Sequence, residues 1–220
     1  MLLKGQNDYS RIVQQAQKLY GQQDYFNVEK LLGPLLIDSG FLSQSPDPSN
    51  VLIYYFKSLS VLDAQSETLQ KAKKIRSLLS TSKVKCSLIL DFYEASALIV
   101  LQRHAEGRLL YQNLIDQRSI LGPSLDSLAV KSYANIAVSY HMEGLWPEAE
   151  HYYQETLSLL DNARLGHLYH ETKSMVSANY LNLLFDVLNK YRDAANFIEK
   201  VKADPFNKEI NLSNHHFFLI

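Results

Sequence analysis

The chain reads as an all-α protein built from repeated helical hairpins. Three observations point there. Apolar residues recur at steps of three and four almost throughout. Turn formers are scarce, with 8 Gly and 6 Pro in 220 residues. Related helical segments return at a period of about 42 residues.

Taken in order, Ile12, Val13, Ala16, Leu19 and Tyr20 predict a first helix. Val28, Leu31, Leu32, Leu35 and Leu36 predict a second, but Gly33-Pro34 falls inside that run, so the helix is expected to kink or split. The polar loop "SQSPDPSN" precedes the apolar run from Val51, with Ser49 or Asn50 as the expected cap. "TLQKAKKIRSLL" (68–79) supplies the next helix, and Leu88, Phe92, Ala95, Leu98 and Ile99 the one after. "GPSLDS" separates a helix ending near Ser119 from one starting near Ser124. Ile136, Ala137 and Tyr140 mark a further helix, and Pro147 sits where its hairpin partner would begin, a place that tolerates proline. Leu181, Leu184, Phe185 and Leu188 give another, and Pro205 closes the helix that holds Ile198 and Val201.

The second helices of the hairpins share a frame. "DYFNVEKLLGPLL" (24–36), "RHAEGRLLYQNLI" (103–115), "LWPEAEHYYQETL" (145–157) and "KYRDAANFIEKVK" (190–202) place Val28, Gly107, Ala149 and Ala194 in one slot for a small or slender residue. The gap between the first two leaves room for a further unit, with Ala72 expected in its slot. First helices match as well: "AQKLYGQQ", "SLSVLDAQ", "ASALIVLQ", "IAVSYHMEG" and "LNLLFDVLN". The count is about five hairpins. They are expected to form one repeat domain over residues 1–206, followed by a tail, 207–220, that caps the array or starts another helix.

Ser132–Leu160 carries Tyr133, Ile136, Ala137, Tyr140, Gly144, Ala149 and Tyr153 in the order large, aliphatic, small, Tyr, Gly, Ala, aromatic. This resembles a tetratricopeptide repeat. Thr156 replaces the usual last Ala, and Asp161 stands where Pro is common. The longer stretch 117–154 is similar to the extended repeats of kinesin light chains. Packing explains the pattern: small residues at 137 and 149 let the two helices approach, and aromatics fill the space between hairpins.

The resemblance implies a right-handed α-solenoid whose first helices line a concave groove for a peptide or protein segment. By that analogy the groove holds Tyr55, Phe56 and Leu59, then Phe92, Tyr93 and Ser96. Lys131, Asn135, Val138 and His141 follow, then Asn179 and Asn182. Aromatics would anchor apolar side chains, and asparagines would bond a peptide backbone at both N–H and C=O. The competing reading is that Tyr55, Phe56, Phe92 and Tyr93 pack between helices. No basic set occupies successive first helices, so a chaperone-tail carboxylate clamp is not expected.

Other chemistries find little footing. With 22 Lys+Arg against 23 Asp+Glu the net charge is -1, which gives no global drive toward nucleic acid or an anionic membrane. Lys71, Lys73, Lys74, Arg76, Lys83 and Lys85 form an acid-free run that reads as a solvated helix face. His167 and His170 stand three apart near Glu171 but lack a further ligand set. The single Cys86 rules out an internal disulfide and reads as a small core residue. There is no G-x-S-x-G, Walker loop or G-x-G-x-x-G. No apolar run reaches the length of a membrane span.

The expectation is therefore a non-enzyme without cofactor or metal, cytoplasmic or nuclear, that binds a protein or peptide partner within an assembly. A peptide-sensing regulator of the bacterial repeat-receptor kind is the alternative. Self-association through Phe217–Ile220 is a third outcome.

Overall fold

A computed structural model describes residues 2–79, 84–122, 126–162 and 168–203. Twelve α-helices and one π-helical turn account for the secondary structure of these residues, and no strand occurs among them. The chain divides into two compact units, Met1–Leu114 and Ile115–Ile220. The division falls inside the stretch 1–206 expected as one repeat domain. The expected tail 207–220, with Pro205, lies outside the described residues.

The first unit holds α1 (Leu2–Gly21), α2 (Tyr25–Leu32), α3 (Ser39–Gln44), α4 (Pro48–Val61), α5 (Gln65–Leu78) and α6 (Val84–Val100). Most of α7 (His104–Asp116) belongs to it as well. The apolar run around Gly33-Pro34 is split: α2 ends at Leu32 and α3 begins at Ser39. The cap of α4 is Asp47, not Ser49 or Asn50. Its carboxylate accepts from the Asn50 N–H at 3.1 Å. Pro48 explains the shift, because its fixed φ and missing N–H suit the first helical position and leave the residue before it as the cap.

The second unit holds α8 (Arg118–Leu121), α9 (Asp126–Met142), α10 (Trp146–Asn162) and α11 (Leu168–Asn182). A π-helical turn over Leu183–Val187 continues α11, and α12 (Tyr191–Ala203) follows. Its core joins Ala134, Ala137 and Val138 of α9 with Ala149, Tyr153 and Leu157 of α10 and with residues of α11 and α12.

One turn recurs through both units. Gln23, Asp63, Gln102, Gly144 and Asn189 all take left-handed backbone, with φ between 53° and 77°, at intervals of 40, 39, 42 and 45 residues. The next residue donates its N–H back across the turn: Asp24 to Leu19, Ala64 to Leu59, Arg103 to Leu98, Leu145 to Tyr140 and Lys190 to Leu184, at 2.8–3.0 Å. These bonds satisfy the last carbonyls of one helix, in the manner of a Schellman motif. The same residue then opens the next helix, its carbonyl accepting from Val28, Thr68, Gly107, Ala149 or Ala194.

Those five acceptor-paired residues are the slot of the repeat, and all are buried. In the second hairpin the slot is filled by Thr68 rather than Ala72, one helical turn earlier than expected. A buried threonine, close in shape to the valine of the first slot, satisfies the packing. Four turns span five residues from acceptor to donor, and the last spans six. The extra residue is taken up by the π-helical turn just before it.

Candidate functional site

The residues expected to line a groove lie mostly in the core. On α4, Tyr55 and Phe56 are fully buried, and on α6 Phe92 and Tyr93 are 5% and 6% exposed. They form a continuous chain of rings. Tyr55 meets Phe56 at 5.2 Å, Phe56 stacks on Tyr93 at 5.7 Å, Tyr93 meets Phe92 at 5.2 Å, and Phe92 meets Tyr111 of α7 at 5.6 Å. Burial holds the Tyr55 and Tyr93 phenols well above their usual range, so both stay neutral. The competing reading of these four aromatics, packing between helices, is the one the geometry supports. Leu59 is buried with them, and the half-buried Ser96 hydroxyl bonds the Tyr111 hydroxyl at 2.6 Å.

A charged cluster joins α5, α6 and α7. Asp91 is 4% exposed and accepts from Arg76 at 2.8 Å and from Asn113 at 2.8 Å. Arg76 also pairs with Glu94 and donates to Ser87 at 2.7 Å. Desolvation acts to lower the Arg76 pKa, but its bonds and charge contacts with Glu94 and Asp91 raise it on balance, so the guanidinium stays charged. Arg76 therefore leaves the basic run of residues 70–85 and joins α5 to α6. Lys73, Lys74 and Lys85 remain exposed, and Lys83 lies outside the described residues.

In the second unit Asn135 is fully buried, His141 is 2% exposed and Asn179 is 3% exposed, with Val138 also buried. The side chain of Lys131 is half-buried, as is that of Asn182, whose amide donates to Asp186 at 2.7 Å. His141 Nδ1 lies 3.2 Å from the Tyr153 hydroxyl, and its ring meets Trp146 edge-on at 5.6 Å. Burial drives the His141 pKa down to about 4, which keeps the ring neutral at physiological pH. Seven of the eight side chains chosen for binding are thus interior. They hold helices together and reach a ligand only if the packing opens; Lys131 alone among them meets solvent.

Sequence reasoning passed over a half-exposed aromatic ladder on α9 and α10. Tyr140 stacks on Tyr152 at 5.6 Å, Tyr133 lies 6.4 Å from the same ring, and His151 flanks it at 5.4 Å. The signal was present in "EAEHYYQ", where two adjacent tyrosines must face different ways: Tyr153 inward and Tyr152 outward. Such rings offer an apolar body with a polar tip, which suits contact with another protein. Cys86 is buried at 3% exposure, in line with a small core residue. His167 lies outside the described residues.

No described helix is long and apolar enough to cross a membrane. No known family model matches the chain, and no curated protein matches its sequence.

Proposed function

We propose that this chain is a non-catalytic scaffold of the tetratricopeptide type, its hairpins stacked as a right-handed α-solenoid, which holds protein partners together inside an assembly in the cytoplasm or nucleus. The recurrence of one turn and one close-approach slot, five times over, carries the reading. A hairpin of this kind buries its apolar face only against a neighbour, so stacking is what makes the unit worth repeating. Stacked hairpins leave long rows of side chains with no further use in folding, and these rows are where repeat proteins meet partners.

The contact surface we favour is the half-exposed set on α9 and α10: Lys131, Tyr133, Tyr140 and Tyr152. It replaces the asparagine-lined groove, whose amides are interior. The test begins with immobilised protein and a cell lysate, then reconstitutes each retained protein in purified form. A stoichiometric complex is expected, weakened about tenfold by Lys131→Glu together with Tyr133→Ala at unchanged helicity. Failure of every purified candidate to bind would end the scaffold reading. A purified complex indifferent to both substitutions would end the choice of surface.

A further inference from the structure

A pocket of about 230 Å³ opens where α10, α11 and α12 meet. It exceeds the roughly 150 Å³ that accommodates a benzene ring and falls short of the roughly 300 Å³ at which drug-sized sites begin. One large side chain and a small polar group fill such a space. Its apolar wall is made by Leu157 of α10 with Phe197 and Val201 of α12.

Its polar wall carries an excess of positive charge. Asp161 accepts from Lys173 Nζ at 2.7 Å and from Lys200 Nζ at 3.1 Å, so one carboxylate faces two ammonium groups. The fully buried Ser177 also lines the pocket, and its hydroxyl oxygen has no hydrogen-bond partner among the described residues. A buried hydroxyl left in that state costs stability, and a bound acceptor would relieve it. A cationic ligand would meet two like charges. A phosphate gains nothing from the apolar wall. A carboxylate next to an apolar side chain uses both walls.

We infer that this pocket takes the C-terminal residue of a peptide partner, an aliphatic or aromatic one. Its side chain lies against Leu157, Phe197 and Val201, and its free carboxylate accepts from Lys200, Lys173 and Ser177. The inference rests on the scaffold reading only in taking the ligand to be a peptide. The site stands apart from the aromatic ladder on α9 and α10.

The experiment titrates the isotope-labelled full chain with N-acetyl-Ala-Leu bearing a free carboxylate, and in parallel with its C-terminal amide, following backbone amide shifts. Saturable shifts on α10, α11 and α12 at roughly millimolar affinity are expected for the acid. The amide should bind about tenfold more weakly, and Lys200→Gln should weaken the acid by a similar factor. Lys200 is two-thirds exposed, so its replacement leaves folding intact. Ser177→Ala serves as a second variant and should weaken the acid while keeping the apolar wall. Equal binding of acid and amide, or no shifts near the pocket, would overturn the inference; the two lysines would then serve only the negative ends of α10 and α12. A dipeptide that fails while a purified protein complex forms sinks the pocket alone. A dipeptide that binds while no protein partner does sinks the scaffold alone.

Discussion

Gly107 sits at a close approach of two helices, where added volume has little room. A Cβ added there would sit 2.7 Å from Ile99 Cγ1 and 2.9 Å from the Ala95 carbonyl oxygen. Side chains swing aside, but a helix backbone does not. Gly107→Ala gains about 1 kcal/mol of helix propensity and loses roughly 1–3 kcal/mol to overpacking. A net loss of about 1 kcal/mol is expected, read as a lower urea midpoint. An outcome at or above the parent would show that α6 and α7 have room to part. His141 provides a second residue-level test. Its folded pKa of about 4 lies below the ordinary 6.5, so the unfolded chain takes up the proton first. Stability should decline as pH falls from about 6.5 and level off below about 4, with a total of about 3 kcal/mol at 1.36 kcal/mol per unit. His141→Gln should remove that share of the pH dependence, measured as the difference between the urea midpoints of parent and variant at pH 7 and pH 4.5.

Among the elements, the hairpin turns were only partly legible. Gly144 announced its turn, because glycine takes left-handed backbone at little cost. Gln23 and Gln102 gave no such sign, and they adopt the same conformation because the flanking helices insist on it. Gln102→Gly should therefore stabilise by about 0.5–1 kcal/mol, since glycine relieves the strain and forfeits some of that gain in chain entropy. Asn189→Gly should gain less, because asparagine already tolerates this region. Thermal midpoints of the two variants decide the order. The helices themselves were readable from apolar spacing, since burial writes that pattern directly into the chain. The binding residues were not. Asparagine is usually exposed, so Asn135 and Asn179 read as groove residues. Yet α9 is buried on nearly every side, by α8, α10 and α11 in the folded unit. Spacing reveals which residues are apolar; it is silent on how many neighbours a helix has.

At the scale of the whole chain, the two compact units invite a test of cooperativity. The single tryptophan, Trp146, lies in the second unit, so its fluorescence reports there, whereas helical circular dichroism reports on both. Repeat arrays unfold through local equilibria rather than one global switch. The fluorescence and circular-dichroism transitions in urea are expected to separate; coincident curves would show that the units melt together. The repeats are also unequal in length, and that inequality has a practical reading. From the left-handed turn residue to the slot, every hairpin keeps the same count of five, so length variation is excluded from the start of each second helix. In the last hairpin the surplus residue is stored as a π-helical turn, with Phe185 outside it at 53% exposure. Removing one residue from an ordinary helix rotates everything beyond it by a third of a turn and unseats a core. Here the loss of Phe185 would let the segment relax to ordinary α-helix with the faces of α11 and α12 unchanged. The protein thus carries, at the end of α11, a point at which its chain can be shortened by one.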